Sequence, residues 1–435
     1  MLESIHLKNV GPAPEMTMDL APRLNLITGD NGLGKTLLLD CAWWALTRTW
    51  PATWGGKGVV PEKNDAAMEW TERRAAEVLS ATSEYDFGSS MWTRNEGHPP
   101  SPGRADAEES RLQGSLVIYL RVDGGISVHD PLRVGEDFRL PFGVEAWGRS
   151  NAYQFREPDI WDGLALTDGG KLVCEGLVRD ASRWAGQPGN ADFDQLAALV
   201  AELAGDEPFR LTRKVTRVYV DDPRDFSVLA GPAGEVPIAH APAGLRRILG
   251  LAYLVVWARR EHKLAASLKK RAPSTSLVLL IDEAESHLHP KWQRTIVPSL
   301  LRALGNEGSL QVVATTHSPM VLASVEPVFD TSIDKLFVLG LENGNVALHE
   351  EAWAMQGDVI NWLVSDTFGL RQARSAPAER AVETAEAWMR GDTTALPTNL
   401  ETKEAIHAEL GRVLPGHDPF WPRWVVRYEK DGGEP

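Results

Sequence analysis

LNLITGDNGLGKTLLLD, residues 24–40, constrains the rest of the chain more than any other segment. Its opening run over 24–27 is largely apolar and bounded by glycine, which predicts a short buried strand. Gly29-Asp30-Asn31-Gly32-Leu33-Gly34-Lys35-Thr36 then satisfies G-x-x-x-x-G-K-[ST] at every position, and the run 36–46 is helix-forming. Strand, glycine loop and helix in that order are the context a P-loop requires. Glycines let successive backbone N–H groups turn inward around phosphate oxygens, and the helix presents its positive N-terminal end to them. Lys35 is placed to neutralise β- and γ-phosphates, and Thr36 to offer its hydroxyl to Mg²⁺.

Working outward, 435 residues suffice for two or three domains, or for one large head with insertions, and for a sizeable core. Apolar content of 43% and charged content of 24% are those of an ordinary globular chain. Cys41 and Cys174 are too far apart for a Cys-x-x-Cys pattern, which points to a reducing compartment. The N-terminus, MLESIHLKNVGPAPEM, alternates like a strand and lacks the apolar core of a signal peptide. No apolar run approaches the length of a membrane span. A cytoplasmic protein with no membrane partner is expected. The net charge of −15 argues against a surface that coats nucleic acid everywhere, but leaves room for a local basic groove. The densest basic run, ARREHKLAASLKKR at 258–271, reads either as such a patch or as a solvated helix end.

Residues 1–7 and 16–20 predict an antiparallel pair turning at Gly11-Pro12-Ala13-Pro14. From 50 to 114 periodicity is lost among Gly, Pro, Ser and charge, as in EGHPPSPGRADAEES at 96–110. This reads as an insertion with strands at 67–70 and 90–92 and a mobile loop. A hairpin follows about Asp123-Gly124, then helix over 193–204 and an alternating strand over 211–219. A nearly all-apolar helix is predicted over 243–262, a buried strand over 277–281, a helix over 289–304 and a strand over 310–314. Buried strands alternating with helices define an α/β pattern.

The strand SLVLLIDE ends in Asp282-Glu283, two carboxylates at the carboxyl end of a parallel strand, where open α/β sheets bind ligands. Asp282 suits Mg²⁺ through water, and Glu283 suits polarisation of an attacking water. GDNGLGKT, LVLLIDEAESHLHPKWQ and VVATTHSPMVLAS, in that order, resemble the heads of the SMC, RecF and OLD-like ABC ATPases. That resemblance implies an α/β ABC-type P-loop head, with a mixed, mostly parallel sheet, flanking helices and an antiparallel β subdomain. It implies ATP and Mg²⁺ as cofactors. Residues Gly29, Asp30, Asn31, Gly32, Leu33, Gly34, Lys35 and Thr36 would hold the nucleotide, with Thr36 and Asp282 at the metal. Glu283 is then the catalytic base and His317 the switch residue at the γ-phosphate. The family's signature loop, which completes the site of a second subunit, matches Ala241-Pro242-Ala243-Gly244-Leu245-Arg246-Arg247. Pro242 stands where a serine commonly meets the partner's phosphate, so contact would fall to Ala243, Gly244 and Arg246, with slow hydrolysis. The glutamine loop has only Gln154 and Gln187 as candidates.

Between Lys35 and Asp282 no sustained heptads occur, so the long arms of SMC proteins are absent and the head is compact. Residues 1–49 and 115–349 are expected to form this head, and 350–435 a helical C-terminal accessory region. The helix at 243, the HLHPKWQ segment and the Trp-rich tail look most like stand-alone bacterial antiphage ATPases of the Septu type. These work with a separate HNH nuclease, and no acidic Toprim pattern follows His317. The implied function is an oligomeric ATPase that regulates an operon-encoded effector. A DNA-repair or chromosome-maintenance role of the RecF or SMC type, and a nucleotide-locked scaffold with little turnover, are the alternatives. His287 and His289 read as a metal pair or as residues orienting the loop after Glu283. Trp421-Pro422-Arg423-Trp424 reads as an accessible docking cluster, and 406, 410 and 413 as part of a face needing a second surface.

Overall fold

The computed structural model describes residues 1–51, 61, 65–74, 77–86, 91–92, 114–133, 152–165, 172–205, 208–306, 308–392, 394 and 396–430. It divides into two compact units, Met1–Val359 and Ile360–Pro435. In the first unit the P-loop strand lies inside an eight-stranded sheet. Its spatial order is β18 (Asn345–Glu351), β17 (Asp334–Glu342), β3 (Leu24–Gly29), β16 (Leu310–Thr315), β15 (Leu277–Ile281), β7 (Leu116–Leu120), β8 (Ile126–His129), β9 (Tyr153–Phe155). The five strands from β17 to β7 run parallel, and β18, β8 and β9 add antiparallel edges. Strands β15 and β16 are buried along their whole length, as strands covered on both faces must be. Ile281 pairs with Leu120 on one side and Ala314 on the other, and Thr315 with Ile27, so the four carboxyl ends lie side by side.

A second sheet, antiparallel throughout, runs β2 (Glu15–Asp19), β1 (Leu2–Lys8), β4 (Ala67–Arg74), β5 (Glu77–Asp86), β6 (Met91–Trp92). The strands of the 50–114 stretch thus continue the N-terminal hairpin. The 96–110 loop lies outside the described residues. Helix α1 (Lys35–Thr47) joins both sheets in one core, where Leu38 and Trp43 pack with Ile5 and Leu7 of β1 and with Val117, Leu280 and Val313 of the large sheet. Each such fully buried side chain contributes about 1.5–3 kcal/mol.

Beyond β9 the chain builds α2 (Glu157–Asp162), a short pair of β10 (Leu164–Ala165) and β11 (Leu172–Cys174), α3 (Leu177–Ala185), α4 (Ala191–Leu203) and a three-stranded sheet of β12 (Arg210–Arg217), β13 (Asp225–Gly231) and β14 (Gly234–Pro237). It then enters α5, Ala243–Leu268, whose early turns are buried as predicted. The helix outruns the expected end at 262 because Leu264, Ala265 and Ala266 are strong helix formers and the first breaker is Pro273. The helix predicted over 289–304 is two, α6 (Pro290–Gln293) and α7 (Ile296–Gly305). A continuous helix would put Pro298 in its interior, without a donor for residue 294 and with its ring against that carbonyl, so the chain restarts just ahead of it. Helix α8 (Pro319–Val325) follows β16.

In the second unit α10 (Ala376–Arg390), α11 (Lys403–Val413) and α12 (Trp421–Lys430) follow the short α9 (Val359–Val364). They enclose a core of their own, including Ala381, Val382, Ala385, Ile406, Leu410, Phe420 and Trp424. This corrects two expectations. Ile406 and Leu410 bury each other's surroundings within the unit. Trp424 is a fully buried anchor whose Nε1 donates to His407 Nδ1 at 3.1 Å, while half-buried Trp421 donates to the Pro415 carbonyl at 2.9 Å. The reason is spacing: Phe420, Trp424 and Tyr428 recur every fourth residue and share the inward face.

Candidate nucleotide site

The P-loop backbone needs its glycines. Gly29 sits at φ +133°, and a Cβ there would lie 2.2 Å from the Leu339 carbonyl oxygen. Gly34, at φ +100°, is the N-cap of α1. No side chain caps this helix and no acidic residue occupies its first turn, so its leading N–H groups are free to meet an anion. Lys35 is buried, and its Nζ donates to the carbonyls of Gly29 at 2.8 Å and Asp30 at 2.7 Å. Burial lowers its pKa, opposed by the carboxylates of Asp282, Glu283, Asp30 and Glu285.

Across from it, the aligned strand ends assemble a polar array. Thr36 Oγ1 donates to Asp282 Oδ2 at 2.8 Å, and Thr315 Oγ1 donates to Asp282 Oδ1 at 2.8 Å. Thr315 Oγ1 also accepts the Glu283 N–H at 2.8 Å. A hydroxyl and a carboxylate oxygen side by side next to a phosphate loop form a hard-oxygen set that fits Mg²⁺, which is typically held by one or two protein oxygens with phosphates and water. Among the described residues no cluster of three or more His, Cys, Asp or Glu could hold a metal. Glu283 itself lies at φ +49°, a left-handed conformation that is costly for a residue with a Cβ, and strain of this kind concentrates at functional positions. Its carboxylate makes no hydrogen bond among the described residues.

His317 is half-buried at the end of β16, on the same edge as Asp282 and Glu283. Its loop is fastened by a residue that the sequence reading passed over. Glu285 accepts the His317 N–H at 2.6 Å through one oxygen and the Thr316 hydroxyl at 2.7 Å through the other. Ser318 in turn donates to Gln293 of α6 at 2.8 Å. The signal for Glu285 is its position in Asp-Glu-Ala-Glu, two residues past Glu283, but only the fold shows which loop it grips.

The signature segment begins α5 with Pro242 as N-cap, without a side-chain cap, and Pro242 and Ala243 are exposed. Gly244 is buried. A Cβ on it would fall 2.5 Å from the Trp292 ring and 3.0 Å from the His287 carbonyl, so this glycine brings the helix start against the loop after β15. Arg246 does not turn toward the strand ends. It donates to Glu157 at 3.1 Å and lies 4.0 Å over the Trp161 ring. Arg247 is the residue whose field is shared with Asp282, Glu283 and Glu285. Gln154 lies on β9 and accepts from Arg121 at 3.0 Å, whereas Gln187 accepts from Asn190 at 2.7 Å, a local contact after α3.

Fold and site together define a P-loop nucleotide-binding fold, a mixed, mostly parallel sheet with a glycine loop and flanking helices. In sequence the chain matches a family model described as "AAA domain, putative AbiEii toxin, Type IV TA system" over residues 165–323, and one described as "AAA domain" over residues 4–68. It is 38% identical over 101 residues to the "Retron Vc95 probable ATPase" of Vibrio cholerae serotype O1 biovar El Tor, covering 23% of this chain and 18% of that protein. It is 30% identical over 102 residues to the "Septu protein PtuA" of Bacillus thuringiensis, covering 22% of this chain and 24% of that one. The matched segments therefore span less than a quarter of either relative. Among solved structures it aligns with the SMC head domain from Thermotoga maritima at 15% identity and a TM-score of 0.41, over 81% of this chain and 99% of that one. No helix among the described residues is long and apolar enough to cross a membrane.

Proposed function

We propose that this chain binds ATP with Mg²⁺ and hydrolyses it. Lys35 and the P-loop amides hold the phosphates, Thr36 and Asp282 the metal, Glu283 orients and deprotonates the attacking water, and His317 stands at the γ-phosphate. The observation that carries this reading is the Thr36–Asp282–Thr315–Glu283 array at the mouth of the P-loop. The exposed start of α5, at Pro242, Ala243 and the backbone beside Gly244, completes the site of a second copy, so the working form is a dimer or larger oligomer. By analogy with the retron and Septu relatives, the cycle gates an effector encoded nearby, an HNH-type nuclease being the reading carried by the Septu likeness, in the cytoplasm. The docking surface lies in the second unit, where Met389 and Val426 line a groove with Arg390, Arg423 and Arg427. Phosphate release by the purified chain, with and without Mg²⁺, tests the chemistry. Co-purification with the neighbouring gene product, with and without Arg423→Glu, tests the docking. No phosphate release and no retention of an ATP analogue would end the enzymatic reading. Pro242, which offers no hydroxyl, favours a second reading in which nucleotide locks a scaffold that turns over slowly.

A further inference from the structure

Arg247 stands one turn into α5 with both terminal guanidinium nitrogens buried and without a hydrogen-bond partner among the described residues. It is the one charged residue lining a small cavity whose other walls are apolar, among them Leu120, Ile248, Ile281 and Ala284. A cation kept from water and left unpaired is strongly unfavourable, so its position calls for an anion. Four carboxylates act on it, those of Asp282, Glu283, Glu285 and Asp123. Three are already engaged: Asp282 by Thr36 and Thr315, Glu285 by Thr316 and the His317 N–H, and Asp123 by Arg121 and the Gly125 N–H. Among the described residues the Glu283 carboxylate alone of the four has no hydrogen-bond partner. The one unpaired cation of this group and its one unpaired carboxylate thus share the site, the first on α5 and the second at the end of β15.

We propose that Arg247 is a positioning residue for Glu283, closing its guanidinium onto that carboxylate when the start of α5 is engaged, and so coupling the signature helix to the hydrolytic site of its own subunit. The inference rests on the ATPase reading above. Gly244 packed under Trp292 supplies the mechanical link, because the helix start cannot shift without moving the loop that follows Glu283. A fork with two donors can fix both oxygens of a carboxylate, which a point charge cannot.

The test compares the parent with Arg247→Met and Arg247→Lys by steady-state turnover and by hydrogen exchange, with and without a non-hydrolysable ATP analogue and Mg²⁺. Methionine should lower kcat at least tenfold with KM within threefold, and lysine should restore part of the loss. The analogue should protect residues 29–40 in all three proteins, but residues 243–250 only where a cation is kept. Turnover of Arg247→Met within twofold of the parent, or equal protection of 243–250 in the parent and this variant, overturns the inference while leaving ATP binding intact. If methionine prevents folding, full parental turnover by Arg247→Lys overturns the fork. A parent whose P-loop gains no protection refutes the nucleotide reading and this inference with it. A parent that binds but does not turn over leaves the exchange result to decide.

Discussion

The two faces of the nucleotide site are built to different standards. On the P-loop side the Thr36 and Thr315 hydroxyls and both Asp282 oxygens have partners within the chain. On the signature side the helix start has no side-chain cap, Pro242 and Ala243 face solvent, and two Arg247 nitrogens have no hydrogen-bond partner among the described residues. Buried polar groups are normally satisfied, so an unsatisfied set next to a satisfied one marks where the structure expects to change or to be completed. On the function proposed above, one chain carries a finished half-site for binding and an unfinished one for gating. Substitutions on the first face should abolish function, and those on the second should modulate it.

The largest effect is expected at Lys35. Removing the cation from a buried phosphate clamp costs about 2–5 kcal/mol, roughly 30-fold to several thousand-fold in affinity. Lys35→Ala should therefore lose a fluorescent ATP analogue in equilibrium titration. Affinity within a few-fold of the parent would break the comparison at its firm side.

Glu283→Gln comes next. The amide keeps size and shape but cannot take a proton from water, and general-base catalysis is worth roughly 10²–10⁴-fold. Turnover should fall by that range with analogue affinity preserved, and a longer-lived ATP-bound oligomer should appear in size-exclusion chromatography. Normal turnover by this variant would remove Glu283 from the mechanism.

How legible each face was follows from how local its determinants are. The P-loop and the Asp282-Glu283 pair are contiguous words, each with a strand before it, and their residue types follow from phosphate and metal chemistry, whereas His317 was singled out by the family resemblance. Glu285 and Thr315 acquire their contacts from register: Ile281 opposite Ala314 and Thr315 opposite Ile27 bring the three strand ends level, and no spacing along the chain announces that. The neighbouring Arg246 and Arg247 show the limit best. Adjacent arginines on a helix point about 100° apart, so one binds Glu157 and Trp161 while the other turns inward, and sequence alone cannot say which. The C-terminal tryptophans misled for a related reason. The cluster of aromatic and arginine side chains suggested an accessible docking site, whereas the every-fourth-residue spacing of Phe420, Trp424 and Tyr428 decided burial.

A smaller effect, and one whose sign is informative, is expected at Gly244. Alanine is the better helix former by up to about 1 kcal/mol, so on propensity alone Gly244→Ala would stabilise. Its methyl, however, meets the Trp292 ring at 2.5 Å, and overpacking of this kind costs about 1–3 kcal/mol. The variant should unfold at lower urea concentration than the parent. A higher midpoint would mean that α5 and α6 are not held as closely as the packing requires.

The smallest effect is expected at Pro242, and it separates two explanations of the open helix start. Serine at an N-cap stabilises a helix by about 1 kcal/mol by accepting an N–H within its own chain. It also supplies the hydroxyl that the family resemblance places against the second subunit's phosphate. Asparagine caps equally well but carries an amide in place of the hydroxyl. If Pro242→Ser raises turnover or ATP-dependent dimerisation a few-fold while Pro242→Asn only raises thermal stability, the contact is made between subunits and proline has weakened it. If both substitutions speed turnover alike, the gain comes from a firmer α5 within one chain, and coupling through that helix matters more than the hydroxyl. If neither changes the rate, this loop does not act at a shared nucleotide, and the unfinished face must be completed by something other than a second copy.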